Sequence, residues 1–337
     1  MVPVTQEPTA EDVVWLPVED PSAVGAARRA ATGLAERLAF GPTRVAEVAL
    51  AVTELATNLD KHAEQGVLLL RALRTTELAE IEIAAVDRGP GMADPELAFA
   101  DGHSTAGTLG IGLGSVRRLA DSCRVRSTPG RGTVLVVRLG PDRVATRPAE
   151  VAGVTRPMVG EDICGDAYAV RRDGARLLLM LCDGLGHGPL AASASQVAVR
   201  TFQDADWAPP DAMVRKLHAA MNGGRGGALA VAEIDPDAGQ VRYCGLGNIA
   251  GFVVAERKQG MVSLPGIAGY QARTTRQFAY ELPEGATVVL HSDGLTDRWL
   301  ADDRGLWRAD PLLVGLELLR DAGVRRDDAS VLVARPR

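Results

Sequence analysis

Two sets of side chains in this sequence have the types and spacing for phosphate chemistry. The first begins with Glu54, Asn58 and His62, which recur at i, i+4 and i+8 and therefore share one face of a helix. A stripe of carboxylate, amide and imidazole beside an apolar face suits a metal–phosphate site, and a solvated helix face is the competing reading. Further on, Asp87-Arg88-Gly89-Pro90-Gly91 places a carboxylate before glycines that let backbone approach a ligand. Gly110-Ile111-Gly112-Leu113-Gly114 then runs directly into a helix, whose backbone N–H groups and N-terminus can cradle phosphates. These glycines lack the preceding strand and βαβ setting of a dinucleotide site, which disfavours NAD.

The second set is made of aspartates beside glycines at the ends of apolar runs. It comprises Gly165-Asp166, Asp183-Gly184-Leu185-Gly186-His187-Gly188, Ser292-Asp293-Gly294-Leu295-Thr296-Asp297 and Arg326-Asp327-Asp328-Ala329-Ser330. A single Asp-Gly is ordinarily a turn. Several at strand ends would be costly if they converged without partners. Oxygen-only donors suit Mg²⁺ or Mn²⁺ rather than zinc. Two such ions about 4 Å apart can activate a bridging water for attack on phosphorus.

These groups need scaffolds. In the N-terminal part, Val13–Val18 reads as a strand and Asp20-Pro21-Ser22 as a helix start. Helices follow at Ala23–Leu38 and Thr43–Ala63, separated by Gly41-Pro42. Strands are expected at Val67–Leu73, Leu78–Asp87, Val125–Ser127 and Thr133–Leu139, with a helix at Ser115–Asp121 and a turn at Pro129–Gly132. Residues 141–151 mix Pro, Arg and Glu without apolar periodicity and read as a linker between domains 1–140 and 152–337. Beyond it, strands are expected at Tyr168–Arg172, Leu177–Cys182, Leu229–Ile234, Val241–Cys244, Phe252–Val254, Thr287–His291 and Ser330–Ala334. Helices are expected near Leu190–Thr201 and Asp211–Met221. Both halves are α+β, helices packed on mostly antiparallel sheets.

The 337 residues accommodate two cores, and 46% apolar with 24% charged residues is an ordinary globular balance. A net charge of -6 gives no reason to expect nucleic acid or an anionic membrane as partner. No apolar run has the length of a membrane span, and Met1–Ala10 lacks the pattern of a signal peptide, so a cytoplasmic protein is expected. Cys123, Cys164, Cys182 and Cys244 are scattered, without a C-x-x-C pair, and are expected to be reduced, buried thiols. A redox or soft-metal role for Cys164 and Cys182, beside the acidic motifs, is the alternative.

In their order, the N-terminal motifs resemble the GHKL ATPase superfamily, and within it the small anti-sigma and switch serine kinases. The resemblance implies a Bergerat-type α/β sandwich that binds ATP with one Mg²⁺. By it Glu54 is the base or polarising group, Asn58 holds Mg²⁺, Lys61 reaches phosphate and Asp87 accepts from the adenine amine. Gly89 and Gly91 form the first glycine box, Gly110, Gly112 and Gly114 the second, and Thr133, after Gly132, the final Gly-Thr. His62 has no firm family role, and packing is expected of it. The aspartate motifs, with Gly247-Asn248-Ile249, resemble the bacterial type-2C (PPM) protein phosphatases. That implies an α-β-β-α sandwich with two Mg²⁺ or Mn²⁺ ions bound by Asp166, Asp183, the Gly184 carbonyl, Asp293 and Asp327. Asp183 is the expected catalytic bridge, Asp328 ranks below Asp327, Asp162 is a candidate outer-shell group, and His187 either contacts phosphate or caps a helix. No equivalent of the family's phosphate-binding arginine is evident. Together the resemblances imply a kinase–phosphatase fusion acting on a STAS-domain protein, with a sigma factor as a second candidate partner. The alternative is a phosphatase whose N-terminal domain only senses ATP or binds the partner.

Overall fold

The computed structural model describes residues 5, 6, 8–75, 79–99, 112–143, 149–272, 274–301, 303–324 and 326–336. The backbone forms two compact units, Pro8–Pro148 and Ala149–Arg337, and the short strand β1 (Thr5–Gln6) belongs to the second.

The first unit is one antiparallel sheet covered by helices. Its strands are β2 (Thr9–Pro17), β3 (Val67–Arg74), β4 (Ala79–Val86), β5 (Ser122–Thr128) and β6 (Gly132–Leu139), in the order β2-β3-β4-β6-β5. The helices are α1 (Pro21–Arg37), α2 (Pro42–His62), α3 (Pro95–Ala98) and α4 (Leu113–Leu119). Asp20 caps α1 by accepting from the Ser22 N–H at 2.8 Å, with Pro21 in the first turn. Val48, Val52, Leu55, Ala56 and Leu59 of α2 pack with Ala27, Ala31 and Leu34 of α1 over Leu68, Leu70, Ile81 and Ile83 of the sheet. That buried stripe fixes the rotation of α2 and leaves Glu54 and Asn58 half-buried at its margin. Across the middle strands, Glu82 is fully buried between Arg71, 2.6 Å away, and Arg138, 2.7 Å away.

The second unit stacks two sheets between helices. Its strands are β7 (Val151–Arg156), β8 (Asp166–Asp173), β9 (Arg176–Gly184), β10 (Gly227–Asp235), β11 (Gln240–Leu246), β12 (Ala250–Val254), β13 (Lys258–Met261), β14 (Ser263–Leu264), β15 (Phe278–Glu281), β16 (Thr287–His291) and β17 (Ala329–Ala334). The helices are α5 (Gly188–Asp204), α6 (Pro210–Ala220), α7 (Arg304–Trp307) and α8 (Pro311–Ala322). One sheet runs β1-β8-β9-β10-β11-β14, with β15 also on β11, and the other runs β13-β12-β16-β17-β7. Strand β9 reads as a continuous apolar run because both its faces are covered. Leu177, Leu179 and Leu181 meet Val288, Leu290 and Leu332 of the other sheet. Leu178, Met180 and Cys182 meet Phe202 of α5 and Met213 and Leu217 of α6. Helix α8 covers β7 and β17 on the far side, completing the α-β-β-α layering expected of this half.

Several elements depart from the sequence expectations, among them the short strands β1, β13, β14 and β15 and the one-turn helices α3 and α7, where no element is expected. Val151, the last residue read as linker, already begins β7, and α8 is a full helix where no helix is expected. Among the described residues, no helix is long and apolar enough to cross a membrane.

Candidate functional site

In the first unit, β4 delivers Asp87 to a loop held from two sides. The Asp87 Oδ1 accepts from the Gly89 N–H at 2.7 Å and from the Thr133 N–H at 3.2 Å, and the Asp87 N–H donates to the Thr133 carbonyl at 2.9 Å. The Arg88 N–H donates to the Glu64 carbonyl just beyond α2, and the Gly130 N–H donates to the Pro90 carbonyl. Glycines make this closeness possible. Gly91 has φ +66°, and a Cβ there would collide with the Thr128 carbonyl; Gly132 has φ +98°, and its Cβ would strike the Asp87 carbonyl. Ser127, expected as the end of a strand and not as a site residue, hydrogen-bonds Thr133 at 2.8 Å and accepts from the Met92 N–H at 2.7 Å.

On α2, Glu54 has its carboxyl pushed up by burial, and Lys61, one helical repeat on, partly offsets this. The Asn58 side-chain nitrogen is buried with no hydrogen-bond partner among the described residues. Lys61 and His62 are exposed at the last turn, so His62 does not fill the packing role expected of it. Gly112 occupies the N-cap of α4 and Gly114 is buried within it, while Gly110 lies outside the described residues. An unsatisfied buried amide beside a carboxylate and a glycine-built loop is a donor set that fits a Mg²⁺-bound nucleotide.

In the second unit, sheet register does the assembling. Asp166, first residue of β8, lies directly across from Asp183 near the end of β9, and Ala228 of β10 flanks Asp183 on the other side. Asp166 is buried and neither carboxylate oxygen has a hydrogen-bond partner within bonding geometry, although the Ser292 and Ser330 hydroxyls lie near enough to favour its charged form and offset part of the cost of burial. Burial is the main cause that pushes both the Asp166 and the Asp183 carboxyl up; the charge of Asp328 adds to it at Asp166, and those of Asp166, Asp293 and Asp327 add to it at Asp183. Asp293 is raised by burial and then by Asp327, while its Oδ2 accepts from the Asn248 amide at 2.6 Å. Asp183, Asp293 and Asp327 line one cavity of about 530 Å³, together with His187, Asn248 and Arg326.

Backbone geometry sets these groups close. A Cβ at Gly184 would collide with the Ala191 carbonyl of α5, and one at Gly227 with the Asp183 carbonyl. Asp328 is not turned to the cavity. Its oxygens accept from the Met158 N–H at 2.8 Å and the Gly165 N–H at 2.7 Å, which supports ranking it below Asp327 as a ligand. Asp162 is exposed, and its neighbour Glu161 instead hydrogen-bonds His187 at 2.8 Å. His187 takes the N-cap position of α5 but makes no side-chain capping bond. Asn248 was within reach of the sequence, since its Gly-Asn-Ile turn is visible there; the buried role of Asp328 was not.

Among the described residues, no three His, Cys, Asp or Glu side chains close into a preformed metal cage. The carboxylates face one another across an open cavity, an arrangement that fits hard ions retaining part of their water. The paired, unpartnered oxygens of Asp166 are the strongest sign of fit, because buried carboxylates otherwise need a cation or donors. The cysteines are all free, and burial holds each thiol above its ordinary value, which makes them poor thiolate ligands.

Known proteins match both units. A family model for the histidine kinase-like ATPase domain matches residues 18–139, and the stage II sporulation protein E model matches residues 173–337. Serine/threonine-protein kinase RsbT of Bacillus subtilis (strain 168) is 36% identical over 108 residues, covering 32% of this chain and 81% of RsbT. Phosphoserine phosphatase RsbX of the same strain is 28% identical over 141 residues, covering 40% of this chain and 69% of RsbX. A solved chain from "The bacterial stressosome: a modular system that has been adapted to control secondary messenger signaling" superposes with a TM-score of 0.51 at 30% identity, covering 55% of this chain and 98% of that one.

Proposed function

Because the chain belongs to the histidine kinase-like ATPase family in its N-terminal unit and carries a SpoIIE domain of the PPM phosphatase family in its C-terminal unit, we propose that it sets the phosphorylation state of a STAS-domain protein in the cytoplasm. The observation that carries the phosphatase half is Asp166 facing Asp183 with both Asp166 oxygens buried and unpartnered. Two Mg²⁺ or Mn²⁺ ions, held by Asp166, Asp183, the Gly184 carbonyl, Asp293 and Asp327, would supply an activated water and charge neutralisation there. The chain's own contribution is placement. Asp328 anchors the backbone before Asp166, Asn248 orients Asp293, and Arg326 meets the phosphate of the substrate. In hydrolysis, the water oxygen bonds to phosphorus, the seryl P–O bond breaks and the serine oxygen takes up a proton.

In the N-terminal unit, Glu54 is the base for transfer of the ATP γ-phosphoryl group to a serine hydroxyl, releasing ADP. Its raised carboxyl suits proton uptake closer to neutrality than an ordinary glutamate allows. Asn58 contacts the nucleotide's Mg²⁺, Lys61 its phosphates and Asp87 the adenine amine, with Gly89, Gly91, Gly110, Gly112, Gly114 and Thr133 shaping the cradle. A sigma factor is the second candidate partner of this surface.

The test is ATP-dependent phosphate release with purified chain and a STAS-domain partner. Wild-type protein should release phosphate only with the partner present. Asp183→Asn should leave the partner phosphorylated, and Glu54→Ala should leave it unphosphorylated. Binding of Mn²⁺, followed by calorimetry, should weaken in Asp183→Asn. Failure of the Asp183→Asn form to phosphorylate the partner would reduce the N-terminal unit to an ATP sensor or binding module.

A further inference from the structure

The mouth of the aspartate cavity is not polar throughout. Met158, Leu185 and Ile267 line it beside the carboxylates. Leu185 stands 52% exposed on the loop that follows Asp183 and the end of β9, where a charged or small residue would satisfy solvent better. The segments that continue from this lining hold three more exposed apolar side chains, Val159 at 72% and Ile163 at 47% on the loop after Met158, and Leu190 at 60% in the first turn of α5. Single exposed apolar residues need no explanation, but a cluster around a catalytic cavity does.

The cluster is held in place. Glu161 on one loop hydrogen-bonds His187 on the other, and a Cβ at Gly188 would press on that same Glu161 carboxylate. Gly186 and Gly188 take φ values of +93° and +71°, a backbone course that turns Leu185 outward and that other residues would resist. Met158 is tied by its N–H to Asp328. The rim is therefore preorganised, which lowers the entropy lost on docking. Its place fixes the occupant: Met158, Leu185 and Ile267 stand beside Asp183, Asp293 and Asp327, so what rests on them is the chain on either side of the phosphorylated residue.

We propose that this rim, Met158, Leu185 and Ile267 at the mouth with Val159, Ile163 and Leu190 around it, is the docking surface for the phosphorylated protein and selects a phosphoserine flanked by apolar side chains. The assignment rests on the phosphatase reading of the cavity. Seating one apolar side chain in such a rim is worth about tenfold in kcat/KM.

The experiment uses the full chain with Mn²⁺ and three substrates: p-nitrophenyl phosphate, a phosphoserine peptide with leucines on both sides, and the same peptide with serines in their place. The leucine peptide should be hydrolysed with kcat/KM about tenfold above the serine peptide. In the Ile163→Ser/Leu190→Ser protein, that ratio should fall towards one. Equal kcat/KM for the two peptides with wild-type protein overturns the proposal, whether or not the variant folds. A preference that survives intact in a folded variant overturns its assignment to this rim. Absence of p-nitrophenyl phosphate hydrolysis by wild-type protein overturns the phosphatase reading itself, and this inference with it.

Discussion

Replacing Asp328 with asparagine tests whether the aspartate site is built by its surroundings as well as by its ligands. Asp328 is 3% exposed and spends both oxygens on backbone donors, Met158 and Gly165. The asparagine retains one acceptor and turns an NH₂ group towards the other N–H. One hydrogen bond to a charged group disappears, about 1.5–3 kcal/mol, and a buried donor loses its partner, about 1–3 kcal/mol more. Removing a negative charge near Asp166 returns part of this, since Asp328 repels that carboxylate. The net loss is about 2–4 kcal/mol, or roughly 5–15 °C in Tm for a unit of this size. Because Gly165 immediately precedes Asp166, Mn²⁺ affinity should also fall about 10–100-fold. Calorimetric unfolding of the full chain in chelator reads the first effect, and Mn²⁺ titration reads the second. Destabilisation below about 1 kcal/mol with unchanged Mn²⁺ affinity would refute this account of Asp328.

Two further outcomes concern the first unit. At Glu82, burial alone would raise the carboxyl, but Arg71 and Arg138 outweigh it and hold the group below its usual value. Its stabilisation is therefore present above the unfolded-state pKa and lost as pH falls through the folded one. Glu82→Gln should melt well below wild type near neutral pH, and the two should converge on acidification; a gap that is constant with pH contradicts the ion triad. Asn58→Ala should weaken Mg·ATP binding about tenfold and metal-free ATP much less, because its partner is the ion. Equal losses in calorimetry would move Asn58 off the metal.

Legibility in the sequence followed how local each signal is. The apolar run of β9 and the stripe of α2 announce themselves because the side chains that make them belong to one element. Helix α8 does not: Pro311 to Arg320 are all buried, so the contrast between two faces that marks a surface helix is missing. Strand β7 is masked by Gly153, which is glycine because the Tyr168 ring packs on it and the Tyr168 hydroxyl donates to its carbonyl at 2.9 Å. The motif residues Asp87, Asp183 and Asp293 are visible as carboxylates beside glycines. The roles of Asp328 and Ser127 are not, because their partners, Met158 and Gly165 for the one and Met92 and Thr133 for the other, meet them only in the fold.

The two units share a physical feature that links stability to ligand. Each keeps buried polar atoms without partners, the Asn58 amide nitrogen in one and both Asp166 oxygens in the other. Such atoms cost about 1–3 kcal/mol apiece when left unsatisfied, and more for a charge. The rest of each unit must supply that energy, through the helix–sheet core of the first and the two-sided burial of β9 in the second. A ligand that satisfies these atoms restores it, so each unit is stabilised by RT ln(1 + [L]/Kd) when its own ligand binds. Nucleotide should therefore protect the Asn58 unit and divalent metal the Asp166 unit, because the unsatisfied groups are of different chemistry: an amide that meets an ion already carried by phosphates, and a carboxylate pair that must bind its cation directly.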